Sequence, residues 1–265
     1  MDNEKTRTYL TRKQEFEELY QYNNEYNIYN NKMDLSVGIW RYMNFSRFVN
    51  LLDSNSLFFS KPSSFRDPYE GSYSEVDIKR IIGEPDSFVP NIKSDYDDKR
   101  QQLMKKSKLL LDLVGVSCWH LNNNESAAMW DLYLRSGDGI AIKSNVSNLI
   151  RSITSDDVFY GQVQYIDYTK EITSNNTYES LFYKRSSFSH ENEFRLICFE
   201  SIEEPYFKNY GTLQKCDINL LIDEIYVSPL APRWFTDTVR SVSDKYAINK
   251  PIIQSSLYNS PKTFF

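Results

Sequence analysis

The chain has 265 residues, with 31 basic and 36 acidic side chains and a net charge of −5. The two signs are interspersed, so the overall charge gives no case for an anionic membrane or for nucleic acid as a partner, although a local basic groove for nucleic acid stays possible. No run of 18 apolar residues occurs, and the three widely spaced cysteines fit a reducing compartment. We therefore expect a cytoplasmic protein without a membrane partner.

The first 34 residues differ in composition from the rest, because tyrosine, asparagine, glutamate and glutamine dominate them. Such a segment lacks the apolar residues that a packed core requires. We predict a polar arm over residues 1–34 and a single domain over residues 35–265.

Apolar runs of strand length recur along the chain, at 37–43, 56–60, 113–119, 140–144, 158–166, 193–199, 221–228 and 251–255. Between them lie segments whose apolar residues have helical spacing or that begin with a capping residue, at 45–52, 95–113, 129–133, 147–153 and 232–246. Helices and strands do not alternate one for one. The pattern therefore predicts an α+β fold, with a split, mixed or antiparallel sheet flanked by helices.

The segment 184–198 concentrates charge on what otherwise resembles a core strand. Strand alternation would place Glu191, Glu193 and Arg195 on one face. Carboxylates two residues apart lie roughly 7 Å from each other, so one raises the pKa of the other unless Arg185 or Arg195 pairs with it. The pattern predicts a site for acid/base chemistry or for a hydroxyl-bearing ligand. The alternative is a solvent-exposed edge strand with a ladder of ion pairs.

The loop at 65–71, which contains Pro68 and ends at Gly71, holds two carboxylates, Asp67 and Glu70. A rigid loop of this kind favours specific contacts, so both residues are candidate site residues. In the alternative interpretation, Asp67 only stabilises a turn through nearby backbone.

Large aromatic residues lie close to an acidic residue in the middle of the chain, where Trp119 and Trp130 flank Glu125. Such rings stack on a base or on a nicotinamide ring, and the alternative is a tryptophan-rich core. The two histidines have no ligand partner at metal spacing, and no two cysteines are separated by two residues, so we predict no metal site.

Several motifs follow one another in a specific order: WRY at 40–42, LFFS at 57–60, FRDPYEG at 65–71, SCW at 117–119, ESAAMW at 125–130, GIAI at 139–142, YIDY at 165–168 and FSHENEFR at 188–195. Together they resemble the bacterial domain-of-unknown-function family 2971 over roughly residues 38 to 260. That resemblance assigns no activity.

The layout of the elements also resembles NAD-dependent ADP-ribosyltransferases, in which an early strand carries an arginine and a late strand carries a glutamate. The resemblance implies that Arg41 contacts the phosphates or ribose of the dinucleotide and that Ser60 lines the pocket. It also implies that Glu193 holds a ribose hydroxyl and stabilises an oxocarbenium-like transition state, with Glu191 as the other member of a Glu-x-Glu pair.

The resulting expectation is an NAD-using enzyme of ADP-ribosyltransferase type, a prokaryotic toxin or phage-defence effector with a macromolecular acceptor. The alternatives are a non-enzymatic module that senses a nucleotide or a nucleic-acid end, and a nuclease. The predicted catalytic residues are Glu193, Glu191 and Arg41. The predicted NAD-binding residues are Arg41, Tyr42, Ser60, Trp119, Trp130, Lys184 and Arg185. Further predicted site residues are Asp67, Glu70, Glu125 and Arg195.

Overall fold

The computed structural model describes residues 10, 13–15, 28–29, 33–84, 90–133, 138–155, 157–173, 176–199 and 211–261. The chain forms two compact units, each assembled from three segments. The first unit comprises Met1–Asn31, Phe59–Ser117 and Asp157–Thr212, and the second comprises Lys32–Phe58, Cys118–Asp156 and Leu213–Phe265. Most of the predicted arm lies outside the described residues, and the single domain over 35–265 stays a prediction.

The strands, in chain order, are β1 (Ile28–Tyr29), β2 (Gly38–Asn44), β3 (Ser56–Ser60), β4 (Val114–Leu121), β5 (Gly139–Asn145), β6 (Val158–Gln162), β7 (Gln164–Ile166), β8 (Tyr183–Arg185), β9 (Glu193–Phe199), β10 (Gly211–Lys215), β11 (Glu224–Val227) and β12 (Ile252–Gln254). Their apolar and β-branched residues agree with the strand preferences of these side chains.

The α-helices are α1 (Phe45–Ser54), α2 (Glu75–Ile82), α3 (Pro90–Leu111), α4 (Ala127–Tyr133), α5 (Val146–Ser152), α6 (Ile218–Leu221) and α7 (Arg233–Lys245). Short 3₁₀ helices cover Pro62–Ser64, Glu179–Phe182 and Ser186–Glu191. Within the described part of the chain, no helix combines the length and the apolar character that crossing a bilayer requires.

The first unit contains both parallel and antiparallel pairs. Strand β6 pairs in parallel with β1 and antiparallel with β9, where Tyr160 is the partner of Leu196. Strands β7 and β8 form a separate two-stranded parallel sheet. All seven residues of β9 are buried, so this strand belongs to the core of the unit.

The second unit is built around β2, which pairs antiparallel with β4 and with β5. The order continues through β11, antiparallel to β5, to β12, which is parallel to β11. Asn44 caps α1 by accepting a hydrogen bond from the backbone N–H of Arg47 at 3.0 Å. The predicted α+β class with mixed strand pairing is confirmed.

Two predicted elements are interrupted. The strand predicted over 158–166 is broken at Val163, whose N–H donates to the carbonyl of Glu193 at 2.9 Å. The strand predicted over 221–228 is replaced at its start by α6. Asp217 caps that helix by accepting from the N–H groups of Asn219 and Leu220. The helix ends at Leu221, and β11 begins at Glu224.

The prediction that Glu191 shares a strand face with Glu193 is wrong. Glu191 ends a 3₁₀ helix, and Asn192 follows in the left-handed conformation with φ 37°, so β9 begins at Glu193. The alternative of a solvent-exposed edge strand is also wrong, because the side chains of Glu193 and Arg195 are 5% and 0% exposed.

Candidate functional site

Seven of the predicted site residues come together in the first unit, and we call them the ion cluster: Asp67, Glu70, Lys184, Arg185, Glu191, Glu193 and Arg195. Three regions supply them: the loop after the 3₁₀ helix Pro62–Ser64, strand β8, and the segment that ends the 3₁₀ helix Ser186–Glu191 and begins β9. The cluster contains four carboxyl groups and three cations.

The loop that carries Asp67 and Glu70 is held by its own hydrogen bonds. Asp67 accepts from the backbone N–H of Tyr69 at 3.0 Å, and its carbonyl accepts from the N–H of Glu70 at 3.1 Å. Gly71 follows with φ 67°, a conformation that favours glycine. The turn predicted for Asp67 is thus present, and the same residue also contributes an ion pair.

Three carboxyl groups surround the ammonium of Lys184. Its Nζ lies 2.6 Å from Glu191, 2.8 Å from Glu193 and 3.1 Å from Glu70. Nζ donates hydrogen bonds to Glu191 and Glu193, and its contact with Glu70 is an ion pair. Burial by itself lowers the pKa of Lys184, but Glu193 and Glu70 outweigh burial and raise that pKa above its ordinary value.

Arg195 is completely buried and binds two carboxylates at once. Its Nε and Nη2 donate to Glu193 at 2.8 and 3.2 Å, and its Nη1 and Nη2 donate to Glu70 at 2.8 and 3.0 Å. Nη1 also donates to the carbonyl of Leu181 at 2.6 Å. This geometry fixes the orientation of both carboxylates, because a guanidinium is a rigid planar donor.

Arg185 forms the outer part of the cluster. Its Nη2 and Nε donate to the two oxygens of Asp67 at 2.7 and 3.2 Å. The guanidinium carbon lies 4.5 Å from the ring centroid of Tyr69 and 5.2 Å from that of Phe188. Aromatic rings at such distances attract the cation and limit its motion.

The two glutamates of the Glu-x-Glu pair have opposite pKa shifts. Burial and then a hydrogen bond with Glu193 raise the pKa of Glu191 to about 7, although Lys184 acts in the opposite direction. Burial would raise the pKa of Glu193 as well, but the charge and hydrogen bonds of Arg195 hold it well below its ordinary value. When the pKa values of two neighbouring carboxyl groups differ in this way, one commonly acts as an acid and the other as a base.

Three of the four carboxyl groups of the cluster surround the ammonium of Lys184. A nuclease that uses metal ions would need several acidic side chains within about 4 Å of one point. Three carboxyl groups satisfy that distance, but Nζ of Lys184 occupies the point itself. Among the residues that the structure describes, no group of three or more metal-ligating side chains is suited to hold an ion.

A family model described as "Protein of unknown function (DUF2971)" matches residues 129–196 of the chain. This match confirms the resemblance to the family over those residues. No curated protein matches the chain. Within the DUF2971 match lie five members of the ion cluster, Lys184, Arg185, Glu191, Glu193 and Arg195, whereas Asp67 and Glu70 precede it.

Arg41, in the second unit, precedes the DUF2971 match. Its Nη2 donates to the carbonyl of Phe58 at 2.9 Å, and its guanidinium carbon lies 5.6 Å from the ring centroid of Trp119. Burial lowers the pKa of Arg41 to about 10, so the side chain stays cationic at neutral pH. Its contact with NAD stays a prediction.

The predicted aromatic cluster also belongs to the second unit. Trp130, which lies in the DUF2971 match, is buried and donates from Nε1 to Glu125 at 2.9 Å. Glu125 also accepts from the hydroxyl of Ser255 at 2.7 Å, and the hydroxyl of Tyr42 accepts from the N–H of Ser126 at 2.8 Å. These contacts give the rings a packing role in the core of the unit, and their binding of NAD stays a prediction.

Two further predicted residues have different surroundings. Trp119 is buried, and its Nε1 has no hydrogen-bond partner among the described residues. Ser60 ends β3, pairs with Val116 of β4 and is partly exposed. Their contacts with NAD stay predictions.

Sequence reasoning missed three aromatic residues at the cluster, namely Tyr69, Tyr165 and Phe188. The hydroxyl of Tyr165 accepts from the backbone N–H of Glu193 at 2.9 Å and so fixes the start of β9. Tyr69 and Phe188 lie within the motifs FRDPYEG and FSHENEFR. The available signal was their closeness to charged residues, because Tyr69 lies between Asp67 and Glu70 and Phe188 lies between Arg185 and Glu191.

Proposed function

We propose that the ion cluster is the catalytic centre of an enzyme that transfers ADP-ribose from NAD. The observation that carries the proposal is that the pKa values of two neighbouring glutamates are shifted in opposite directions. Glu191 exchanges a proton near neutral pH, while Glu193 stays anionic. The side chain of Glu191 is 12% exposed and that of Glu193 is 5% exposed, so Glu191 is the more accessible of the two.

In the proposed reaction, the bond between ribose C1 and the nicotinamide nitrogen breaks, and nicotinamide leaves with the electron pair. The ribose develops positive charge, which nearby carboxylates stabilise. The oxygen of a hydroxyl acceptor, or of water, then bonds to C1, and its proton passes to the ionised carboxylate of Glu191. Glu193 positions Glu191, since its own oxygens are held by Lys184 and Arg195.

As part of the same proposal, the protein is a prokaryotic toxin or phage-defence effector that acts in the cytoplasm. A reaction that consumes NAD provides a direct route to growth arrest. The described cysteines, Cys118, Cys198 and Cys216, are all free thiols, which is compatible with a reducing compartment. Expression of the wild type and of Glu191→Gln in bacteria tests this role, because only the wild type should slow growth.

The decisive experiment measures nicotinamide release from NAD by chromatography. Wild type should release nicotinamide at a rate that rises with pH through about 7, because Glu191 must be ionised to accept a proton. Glu191→Gln should lower the rate by 100-fold or more, on the order of the usual contribution of a general base. The exposed Glu84→Gln serves as the matched control and should keep full activity.

Two results would contradict the proposal. One is the absence of nicotinamide release with NAD, both with water as acceptor and with a bacterial lysate that supplies macromolecular acceptors. The other is release that is equal in wild type and in folded Glu191→Gln. Thermal unfolding of each variant checks that lost activity is not lost structure.

A second candidate function is a non-enzymatic module that binds a nucleotide. The partly exposed rings of Tyr69 and Phe188 beside Arg185 favour it, because stacking and charge together suit such a ligand. This candidate predicts NAD binding without nicotinamide release. It also predicts that Glu191→Gln leaves the affinity for NAD unchanged.

A further inference from the structure

One edge of the Arg185 guanidinium is engaged and the other faces outward. Nε and Nη2 bind Asp67, which is 3% exposed, whereas Nη1 makes no hydrogen bond to any residue that the structure describes. The Arg185 side chain is 36% exposed. A guanidinium carries five N–H donors, so donors remain on the side away from Asp67.

The rings of Tyr69 and Phe188 lie beside the Arg185 guanidinium and limit its motion before a ligand binds. Tyr69 is 42% exposed, and its ring makes an edge contact with that of Tyr168 at 5.4 Å between centroids. Phe188 is partly exposed and lies close to the guanidinium on the 3₁₀ helix. A cation already oriented by a buried carboxylate and by aromatic rings loses little conformational entropy when it binds an anion.

We infer that Arg185, Tyr69 and Phe188 form a binding site for the diphosphate and base of an adenine nucleotide. The outward N–H groups of Arg185 suit phosphate oxygens, and the exposed ring of Tyr69 suits stacking with a base. The choice of an adenine nucleotide rests on the proposed use of NAD. The site itself rests on the geometry of these three residues.

Asp67 has a second role in this site. It balances the charge of Arg185 and holds the guanidinium in one orientation through two hydrogen bonds. Because the pair is close to neutral, recognition depends on directed hydrogen bonds and stacking more than on net charge. We therefore expect ADP to bind much more tightly than either of its parts, adenosine or pyrophosphate.

The test is calorimetric titration of the full chain with ADP, adenosine and pyrophosphate, each up to about 10 mM, a range that detects weak binding. Wild type should bind ADP at least tenfold more tightly than adenosine or pyrophosphate. Tyr69→Ala and Arg185→Gln should each weaken ADP binding at least tenfold. Arg80→Gln is the matched control, since Arg80 is also partly exposed and paired with a buried aspartate, Asp77.

The variants differ in their effect on folding. Arg185→Gln removes the cation beside buried Asp67, so its thermal unfolding is compared with that of Arg80→Gln. Tyr69→Ala removes an exposed ring and keeps both members of the ion pair, so it tests the site even where Arg185→Gln does not fold. Absence of ADP binding to wild type, or equal ADP binding by wild type and Tyr69→Ala, would overturn the inference.

The same measurements separate this inference from the proposed reaction. ADP contains no nicotinamide, so its binding needs no catalysis, and Glu191→Gln should bind ADP as wild type does. Release of nicotinamide without ADP binding would contradict only the binding site inferred at Arg185. ADP binding without nicotinamide release would contradict only the proposed reaction.

Discussion

The Nζ atom of Lys184 lies 2.6 Å from Oε2 of Glu191. Despite this adjacent cation, burial and the hydrogen bond with Glu193 keep the pKa of Glu191 at about 7. Lys184 divides its charge among three carboxyl groups, so it neutralises none of them completely. The Lys184–Glu191 pair therefore changes its net charge near neutral pH, although it lies in a buried cluster.

This raised pKa predicts that stability falls as the pH rises from about 4.5 to about 7. Between these values the folded protein holds a proton on Glu191 that the unfolded chain has released. Glutamine cannot ionise, so Glu191→Gln should not show this fall. The difference in the free energy of unfolding, variant minus wild type, should therefore increase by about 3 kcal/mol between about pH 4.5 and about pH 7.

Urea denaturation at several pH values measures the difference, with Glu84→Gln as the exposed control. Glu193 has the opposite effect, because its lowered pKa makes stability fall as acid protonates it below pH 4.5. Parallel pH profiles for Glu191→Gln and wild type would show that Glu191 has no raised pKa.

Removal of the Lys184 side chain should create a cation site. In Lys184→Ala, carboxyl oxygens of Glu70, Glu191 and Glu193 would surround the position left by Nζ, at the distances of 2.6 to 3.1 Å seen for the ammonium. Ca²⁺ accepts such oxygen ligands at about 2.3–2.6 Å, so a small contraction suffices.

We expect millimolar Ca²⁺ to raise the melting temperature of Lys184→Ala by several degrees and to leave that of wild type unchanged. The measurement is a thermal shift with and without Ca²⁺ at equal ionic strength. Equal responses of the two proteins would show that the carboxyl groups do not converge once the lysine is removed.

Arg195 should be required for folding stability. Arg195→Leu leaves Glu70 and Glu193 buried without the guanidinium that both of them bind, and breaking a buried ion pair in this way costs about 3–5 kcal/mol. The exposed Arg240→Leu is the matched control and should change stability by about 0.5 kcal/mol or less. Chemical denaturation gives both values, and a loss under 1 kcal/mol for Arg195→Leu would contradict this role.

Any side chain at Gly71, which follows Glu70, should destabilise the folded protein. An added Cβ would lie 2.6 Å from Cδ1 of Leu111, and φ 67° strains other residues. Gly71→Ala should therefore lower the free energy of unfolding by about 1–3 kcal/mol.

Gly83→Ala measures backbone strain alone, because Gly83 has φ 90° and ψ 176°, a region that essentially only glycine adopts, and nothing lies within 4 Å of an added Cβ. Thermal unfolding measures the loss in both variants. A loss below about 1 kcal/mol for Gly71→Ala would show that neither strain nor contact with Leu111 matters at this position.

The sequence alone identified most elements and the charged residues of the ion cluster. Strand β3 and strand β9 have the predicted bounds, and Asn44 caps α1, because side-chain periodicity and capping depend on neighbours along the chain. The motifs FRDPYEG and FSHENEFR likewise contain all but Lys184 and Arg185 of the cluster.

Tertiary structure decided which of these charged groups meet. Asp67 and Arg185 are 118 residues apart in the chain, and no local pattern predicts their pairing. The turn at Asn192 removes Glu191 from the strand, so alternation gave the wrong relation between Glu191 and Glu193. Burial and non-local cations then set their opposite pKa shifts, because desolvation and charge act through space and not along the sequence.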